Sequence, residues 1–259
     1  MSVDHYAGAA QRWAEGASLV YGPIAHHLVA ICPHPLSGHT VLDVGAGTGV
    51  ASTALAMAGA QAVATDLSRP MLAWRAEDRP PAVVGDICAL PFKDDGADDV
   101  VASFVLNHLV NPAAGLAELV RVTRPGGAVL ACVFSNASQN DARDAIDRAA
   151  HEEGWRVPAW YTDLKQTAVP LLGTPKDMDR MAQISGLADI VVSEHRVDVG
   201  VNEPEQLVAY RLGQANFSDW LDQFEPEQRE EIKARLVEAI RPIMRPYRPL
   251  VVFLSALVR

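Results

Sequence analysis

The sequence predicts an α/β fold, a mostly parallel sheet covered by helices on both faces. Two observations carry this. Between Thr40 and Phe134, apolar runs of strand length alternate with stretches of helical periodicity. A helix between successive strands is the crossover that parallel pairing requires. In addition, the first run ends in a glycine-rich turn, VGAGTG, where strand passes into helix. In such sheets ligands gather at the carboxyl ends of the strands, near the point where strand order reverses.

The elements follow in order. The first forty residues read as two helices, with Ala9, Ala10, Trp13 and Ala14 on the first and Leu19, Val20, Ile24, Leu28 and Ile31 on the second. CPHPLSGH breaks that pattern. VLDV (41–44) is the first strand, and a small-residue helix from Val50 to Ala58 closes at Gly59. AVATD (62–66) is the second strand. Ser68 is placed to cap the next helix, with Pro70 in its first turn. PAVVG (81–85) and DVVASF (99–104) are the third and fourth strands. Asn111-Pro112 starts a helix with Leu116, Leu119 and Val120 on one face. RPGG (124–127) stops it before the fifth strand, AVLACVF (128–134).

The rhythm then changes. Roughly fifty residues precede the next strand-like run, too many for a bare loop. They hold helix-like pieces at Asp141–Glu153, Tyr161–Leu171 and Pro175–Ile184, read as a cap or lid. DIVVSEHRVDV (189–199) is strand again, followed by helices over 204–222 and 226–241. The second helix carries Ile232, Leu236, Val237 and Ile240 on one face, with Glu231 and Arg235 spaced for an ion pair. LVVFLSAL (250–257) closes the sheet. We therefore expect a single domain over 1–259: an N-terminal helical cap (1–37), a core (38–135), a cap or lid insertion (136–187) and the C-terminal part of the core (188–259).

With 259 residues, 49% hydrophobic and 21% charged, the chain has ample material for a hydrophobic core. A net charge of -10 argues against binding a phosphate backbone. Arg241, Arg245 and Arg248 form the densest basic run and read as a solvated surface. Three cysteines, Cys32, Cys88 and Cys132, lack metal-ligand spacing and suit a reducing cytoplasm. The first residues have no secretory-signal layout, and the longest apolar stretch is too short to span a bilayer as a helix, so no membrane insertion is expected.

The chemistry centres on VLDVGAGTGV. Gly45, Gly47 and Gly49 allow a tight turn and a close backbone approach to a ligand. The dinucleotide fingerprint places its third glycine where this chain has Val50. The turn also contains no lysine or arginine to partner a pyrophosphate. Asp43 precedes the turn. Asp66 ends the second strand, where an acid can accept from ribose hydroxyls. Asp86 ends the third, where a carboxylate can accept from an exocyclic amine.

VLDVGAGTG, ATDLS, GDICALPFKDDGADDVVASFVLNHL and RVTRPGG together resemble the class I S-adenosylmethionine methyltransferases, in the group that includes quinone-biosynthesis C-methyltransferases. The likeness covers roughly 38–135. It implies a Rossmann-like sheet of seven strands with the last one antiparallel. S-adenosylmethionine would be the cofactor, S-adenosylhomocysteine the product, and no metal would be needed. It implies that Asp43, Gly45, Gly47 and Gly49 hold the methionine end, and that Asp66 binds the ribose. Leu67 and Met71 would pack on adenine, Asp86 and Ile87 would meet its edge, and Ser103 and Phe104 would lie near the sulfonium.

His108, just after the fourth strand, is the candidate base, because its unperturbed pKa suits deprotonation near neutral pH. The alternative is a histidine with a structural role. Asn107 would orient the acceptor. Tyr6, Trp13, Tyr21, Trp155, Trp160 and Tyr161 would wall a pocket for a small acceptor that is aromatic, quinone-like or a secondary metabolite. His26 and His27 are adjacent on a helix and point different ways, and no metal-site or hydrolase motif appears. A cofactor-binding protein that does not methylate, a cyclase or partner protein on the same fold, remains the alternative function. A nicotinamide oxidoreductase is disfavoured by Val50.

Overall fold

The computed structural model describes residues 4–259. Its strands are β1 (Thr40–Val44), β2 (Gln61–Asp66), β3 (Ala82–Val84), β4 (Asp99–Ser103), β5 (Ala128–Phe134), β6 (Ala188–Arg196) and β7 (Leu250–Leu257). They form one seven-stranded sheet in the order β3-β2-β1-β4-β5-β7-β6. β1 to β5 pair in parallel, while β7 runs antiparallel to both its neighbours, as the family resemblance implies. Strand order reverses between β1 and β4, and the special residues cluster at the carboxyl ends of these strands.

The helices are α1 (Ala10–Arg12), α2 (Ser18–Ala30), α3 (Val50–Met57), α4 (Arg69–Ala73), α5 (Pro112–Val122), α6 (Asp141–Glu152), α7 (Ala159–Thr167), α8 (Pro175–Ile184), α9 (Pro204–Leu212), α10 (Ser218–Leu221) and α11 (Pro226–Ile240). One core, on the α2 and α3 side of the sheet, gathers Val20, Ile24, Leu28, Leu55, Leu130 and Phe253. The other, on the α5 and α8 side, gathers Leu42, Leu116, Leu119, Val129, Met178 and Leu254. β4 and β5 are apolar almost throughout because both their faces are covered. β3 is an exposed edge.

Several local expectations change. The two N-terminal helices are one rod, because a π turn over Trp13–Ala17 joins α1 to α2. The reason lies in packing. A Cβ on Gly16 would sit 2.1 Å from the Ala209 carbonyl oxygen, and one on Gly213 would sit 2.6 Å from the Ala17 nitrogen. The wide turn therefore brings backbone directly against α9. Gly213 also ends α9, so the helix expected over 204–222 divides into α9, a 3₁₀ turn and α10.

Ser68 does not cap α4 with its hydroxyl; its backbone N–H donates to Asp66 Oδ1 at 2.8 Å instead. Asn111, Asn140 and Thr174 do cap α5, α6 and α8. Arg235 bonds chiefly to Glu153 at 2.6 Å, with Glu231 at 3.8 Å. Arg241 and Arg248 pair with surface acids, leaving no basic patch there.

Of the segment 136–187, α8 packs on β6, β7 and α5 as part of the sheet layer. α6 packs instead against α9 and α11, beyond the carboxyl ends of the strands. Among the described residues, no helix is long and apolar enough to cross a membrane.

Candidate functional site

The glycine turn adopts the backbone that its sequence demands. Gly45, Gly47 and Gly49 have φ of +72°, +52° and +94°. At Gly45 a Cβ would meet the Val105 side chain at 2.5 Å. Asp66 braces the turn from β2: Oδ2 accepts the Gly47 N–H and Oδ1 accepts the Ser68 N–H, both at 2.8 Å. Each oxygen keeps a lone pair for a further donor. Burial raises the Asp66 pKa, and these two N–H groups oppose the rise.

Asp43 lies buried beneath the turn, with Oδ2 accepting from the Ser52 hydroxyl at 2.6 Å. Burial pushes its carboxyl up to about 6. At the end of β3, Asp86 is exposed and accepts the Cys88 N–H. Ile87 and Met71 are buried, whereas Leu67 is 51% exposed just past Asp66. An open aliphatic surface beside ribose-type acceptors fits an adenosyl group.

At the end of β4, Ser103 Oγ contacts Cys132 Sγ at 3.5 Å. Phe104 is held at φ +57°, an uncommon conformation for a bulky residue, with its ring on Tyr21 and Phe134.

One reading of the glycine turn needs correction. A cation does stand there, although it comes from the loop before β3. Arg79 donates from Nη1 to the carbonyls of Met71 and Leu72. A Cβ on Gly49 would lie 2.9 Å from Arg79 Nε. Arg79 Nε and Nη2 are buried without partners among the described residues. Its charge offsets that of Asp43 and Asp66. Thirty positions separate Arg79 from Gly49, so local spacing gives no sign of it.

Past the ends of β4 and β5 lies a cavity of about 390 Å³, lined by neither the turn glycines nor Asp43, Asp66 or Asp86. Tyr6, Trp13, Tyr21, Asn107, Trp160 and Tyr161 all line it. Trp155 does not. It is buried elsewhere, stacked on Phe217 at 4.2 Å with Nε1 donating to the Asn216 carbonyl. The turn at Gly154 (φ +96°) precedes it at the end of α6.

The cavity also contains residues that the sequence did not single out: Arg143 and Asp147 on α6, Lys165 on α7, and Arg211 and Gln214 at the end of α9. Arg143 and Asp147 are one helical turn apart, and that i,i+4 pairing was the available signal.

His108 lines the cavity in a 3₁₀ turn, with Nε2 3.5 Å from the Tyr6 hydroxyl. Burial, with Lys165 adding to it, lowers its pKa to about 4. The imidazole is therefore neutral at pH 7 and a weaker base than its unperturbed value suggests.

A second cluster lies at the amino end of β4, on the opposite edge of the sheet. Buried Asp99 accepts from His34 Nε2 at 2.7 Å, from His39 Nδ1 at 2.6 Å and from the Ala128 N–H at 2.7 Å. These three bonds satisfy the buried carboxylate without a metal ion. No sequence motif pairs positions 34, 39 and 99; the chain folds them together.

Comparison with known proteins matches residues 42–131 to the methyltransferase domain family. The matched segment is less than half of the chain. It carries the glycine turn, Asp43, Asp66, Asp86 and His108. Over 106 residues the chain is 45% identical to a demethylmenaquinone methyltransferase of Clavibacter sepedonicus, covering 39% of this chain and 43% of that protein. The match thus spans less than half of the curated relative's length.

Solved methyltransferases share the fold across a wider span. Phosphoethanolamine N-methyltransferase 2 of Haemonchus contortus, solved with S-adenosyl-L-methionine, superposes with a TM-score of 0.58 at 17% identity. That match covers 99% of this chain and 60% of the other. The cyclase SpnF superposes with a TM-score of 0.57 at 17% identity, covering 93% of this chain and 81% of SpnF.

Proposed function

We propose that the protein transfers a methyl group from S-adenosylmethionine to a small-molecule acceptor held in the cavity past the ends of β4 and β5. The observation that carries this reading is the pair of carboxylates at the turn, Asp43 and Asp66, within a segment that matches the methyltransferase domain family and that reaches an aromatic-walled cavity through Asn107 and His108. Asp66 would accept the ribose hydroxyls, and Leu67 and Met71 would pack on adenine. Asp86 and Ile87 would meet the adenine edge. Asp43, with Gly45, Gly47 and Gly49, would hold the amino-acid end, while Ser103 and Phe104 would lie nearest the sulfur. The cofactor supplies the chemistry, a methyl group on a positively charged sulfur.

The protein contributes alignment and exclusion of water. Positioning alone accounts for about 7–11 kcal/mol of barrier in well-oriented reactions. Tyr6, Trp13, Tyr21, Trp160 and Tyr161 would orient a flat acceptor. Asn107 and neutral His108 would accept hydrogen bonds from its nucleophilic hydroxyl or amine. Proton acceptance by a base with a pKa near 4 would contribute at the low end of the usual range of about 10²–10⁴-fold. The three free thiols support placing the reaction in the cytoplasm.

Thermal unfolding with S-adenosylmethionine, S-adenosylhomocysteine and NAD tests the cofactor. A ligand at a hundred times its Kd stabilises the fold by about 2.7 kcal/mol. The two adenosyl compounds should raise the Tm, NAD should not, and Asp66→Ala should abolish the effect. A shift with NAD alone would replace this reading with the oxidoreductase one. Formation of S-adenosylhomocysteine in step with consumed acceptor separates methyl transfer from cyclase chemistry.

A further inference from the structure

We propose that the acceptor carries an oxyanion, a carboxylate or a phosphate, and that Arg143 on α6 selects for it. The word acceptor rests on the methyltransferase reading; the binding site itself does not.

The chain is acidic, with a net charge of -10, yet its cavity is cationic. Arg143, Arg211 and Lys165 line it against Asp147 as the one carboxylate. Asp147 is already committed. It takes Arg211 Nε at 2.7 Å and Arg211 Nη2 at 2.8 Å in a bidentate pair. Arg211 Nη1 donates to Gln214, and its guanidinium lies 4.8 Å from the centre of the Phe217 ring. Arg211 is thus bonded through all three guanidinium nitrogens and its charge is neutralised.

Arg143 is not. Its guanidinium has one hydrogen bond among the described residues, from Nη2 to the adjacent Asp144 at a long 3.3 Å. Nε and Nη1 have no partner there, and the side chain is 28% exposed. Its backbone is fixed, because Asn140 accepts the Arg143 N–H at 2.8 Å as the cap of α6. Lys165 forms no ion pair among the described residues, and its Nζ lies 6.0 Å from the centre of the Tyr161 ring. A cation set in a walled cavity with free donors is a receptor for a carboxylate or phosphate oxyanion.

The other end of the cavity has the opposite need. Asn107 Oδ1 is buried with no donor, and His108 Nε2 meets the Tyr6 hydroxyl only at 3.5 Å. One unsatisfied acceptor beside a loosely held ring nitrogen calls for a ligand O–H or N–H. The fitted molecule is therefore bipolar: a hydroxyl or amine toward Asn107 and His108, and an oxyanion toward Arg143.

Matched probes test this. Calorimetry compares 6-hydroxy-2-naphthoate with its neutral amide, and 6-hydroxy-2-naphthyl phosphate with its neutral dimethyl ester, with and without S-adenosylhomocysteine. The wild-type protein should prefer the charged member of at least one pair by about 10- to 100-fold, the worth of a charge-assisted hydrogen bond. The pair that shows it identifies the oxyanion. Arg143→Gln should collapse the preference while still binding S-adenosylhomocysteine. Arg148→Gln, on the exposed side of α6, makes the same change in net charge and should keep the preference.

Equal binding within both pairs, no binding of any probe, or a preference that survives Arg143→Gln would overturn the proposal. Failure of S-adenosylhomocysteine to bind while oxyanions still discriminate would instead overturn the methyltransferase reading and leave this one standing.

Discussion

Titrating the protein with S-adenosylhomocysteine near pH 6 should release protons, and the source is Asp43. This carboxyl is 1% exposed and holds one side-chain hydrogen bond, from Ser52 at 2.6 Å. Burial moves its pKa from 3.8 to about 6 in the folded protein. The folded state therefore grips a proton that the unfolded chain releases at lower pH. As pH rises through that window, about 2 units wide, stability falls by about 3 kcal/mol from this group alone, because the ionised form is the one that burial penalises.

An ammonium brought beside Asp43 favours the ionised form and restores a lower pKa. Half of the molecules carry the proton when pH equals pKa, so binding at pH 6 should expel about half a proton per ligand from Asp43. Calorimetry in two buffers of different protonation enthalpy reads this number directly. Asp66, also raised by burial, adds to the total, so Asp43→Asn is needed to isolate the Asp43 share. A buffer-independent binding enthalpy at pH 6, or the same proton release from Asp43→Asn, would refute the assignment.

Other expectations concern the frame around the site. Asp99→Ala removes the acceptor for His34, His39 and the Ala128 N–H, and should cost about 2–4 kcal/mol in denaturant unfolding. An unchanged midpoint would mean that the cluster is not structural. Gly16→Ala drives a methyl group into the Ala209 carbonyl and should destabilise by about 1–3 kcal/mol, seen as a lower Tm. Trp155→Ala should cost about 3–5 kcal/mol of stability. Trp160→Ala should cost far less and weaken acceptor binding instead; equal losses of stability would show that Trp160 too is only core.

The sheet was readable because its information is local. Apolar runs at β1, β4 and β5, the positive-φ glycines after β1 and the cap at Asn111 each depend on residues within a few positions. Asp43 near the end of β1, Asp66 at the end of β2 and Asp86 just past β3 likewise follow from the strand ends. What escaped depends on contacts between distant segments. Arg79 under Gly49, Asp99 between His34 and His39, and Gly16 against Ala209 leave no periodic trace. The aromatic wall was legible as a set of candidates, but only folding separates Trp160, which faces the cavity, from Trp155, which fills the core. The pKa of His108 was misjudged for a related reason. Its burial and the nearby Lys165 come from elements that pack over β4 rather than from its own neighbours in sequence.

The division between legible and hidden residues also bears on the proposed acceptor. Likeness to the methyltransferase domain family spans 42–131, and only Asn107 and His108 of the cavity lining fall within it. The remaining wall comes from the N-terminal segment and rod, the end of β5 with the loop after it, α6, α7 and the turn that follows, and the end of α9. On the proposed reading, cofactor binding and acceptor choice would reside largely in different stretches of chain. A domain that holds its cofactor through strand-end acids can exchange acceptors by changing helices that never touch the glycine turn. The cationic charge at Arg143 and Lys165 belongs to those helices, outside 42–131, so the acceptor is better argued from their chemistry than from the substrate named for a relative that matches only 39% of the chain.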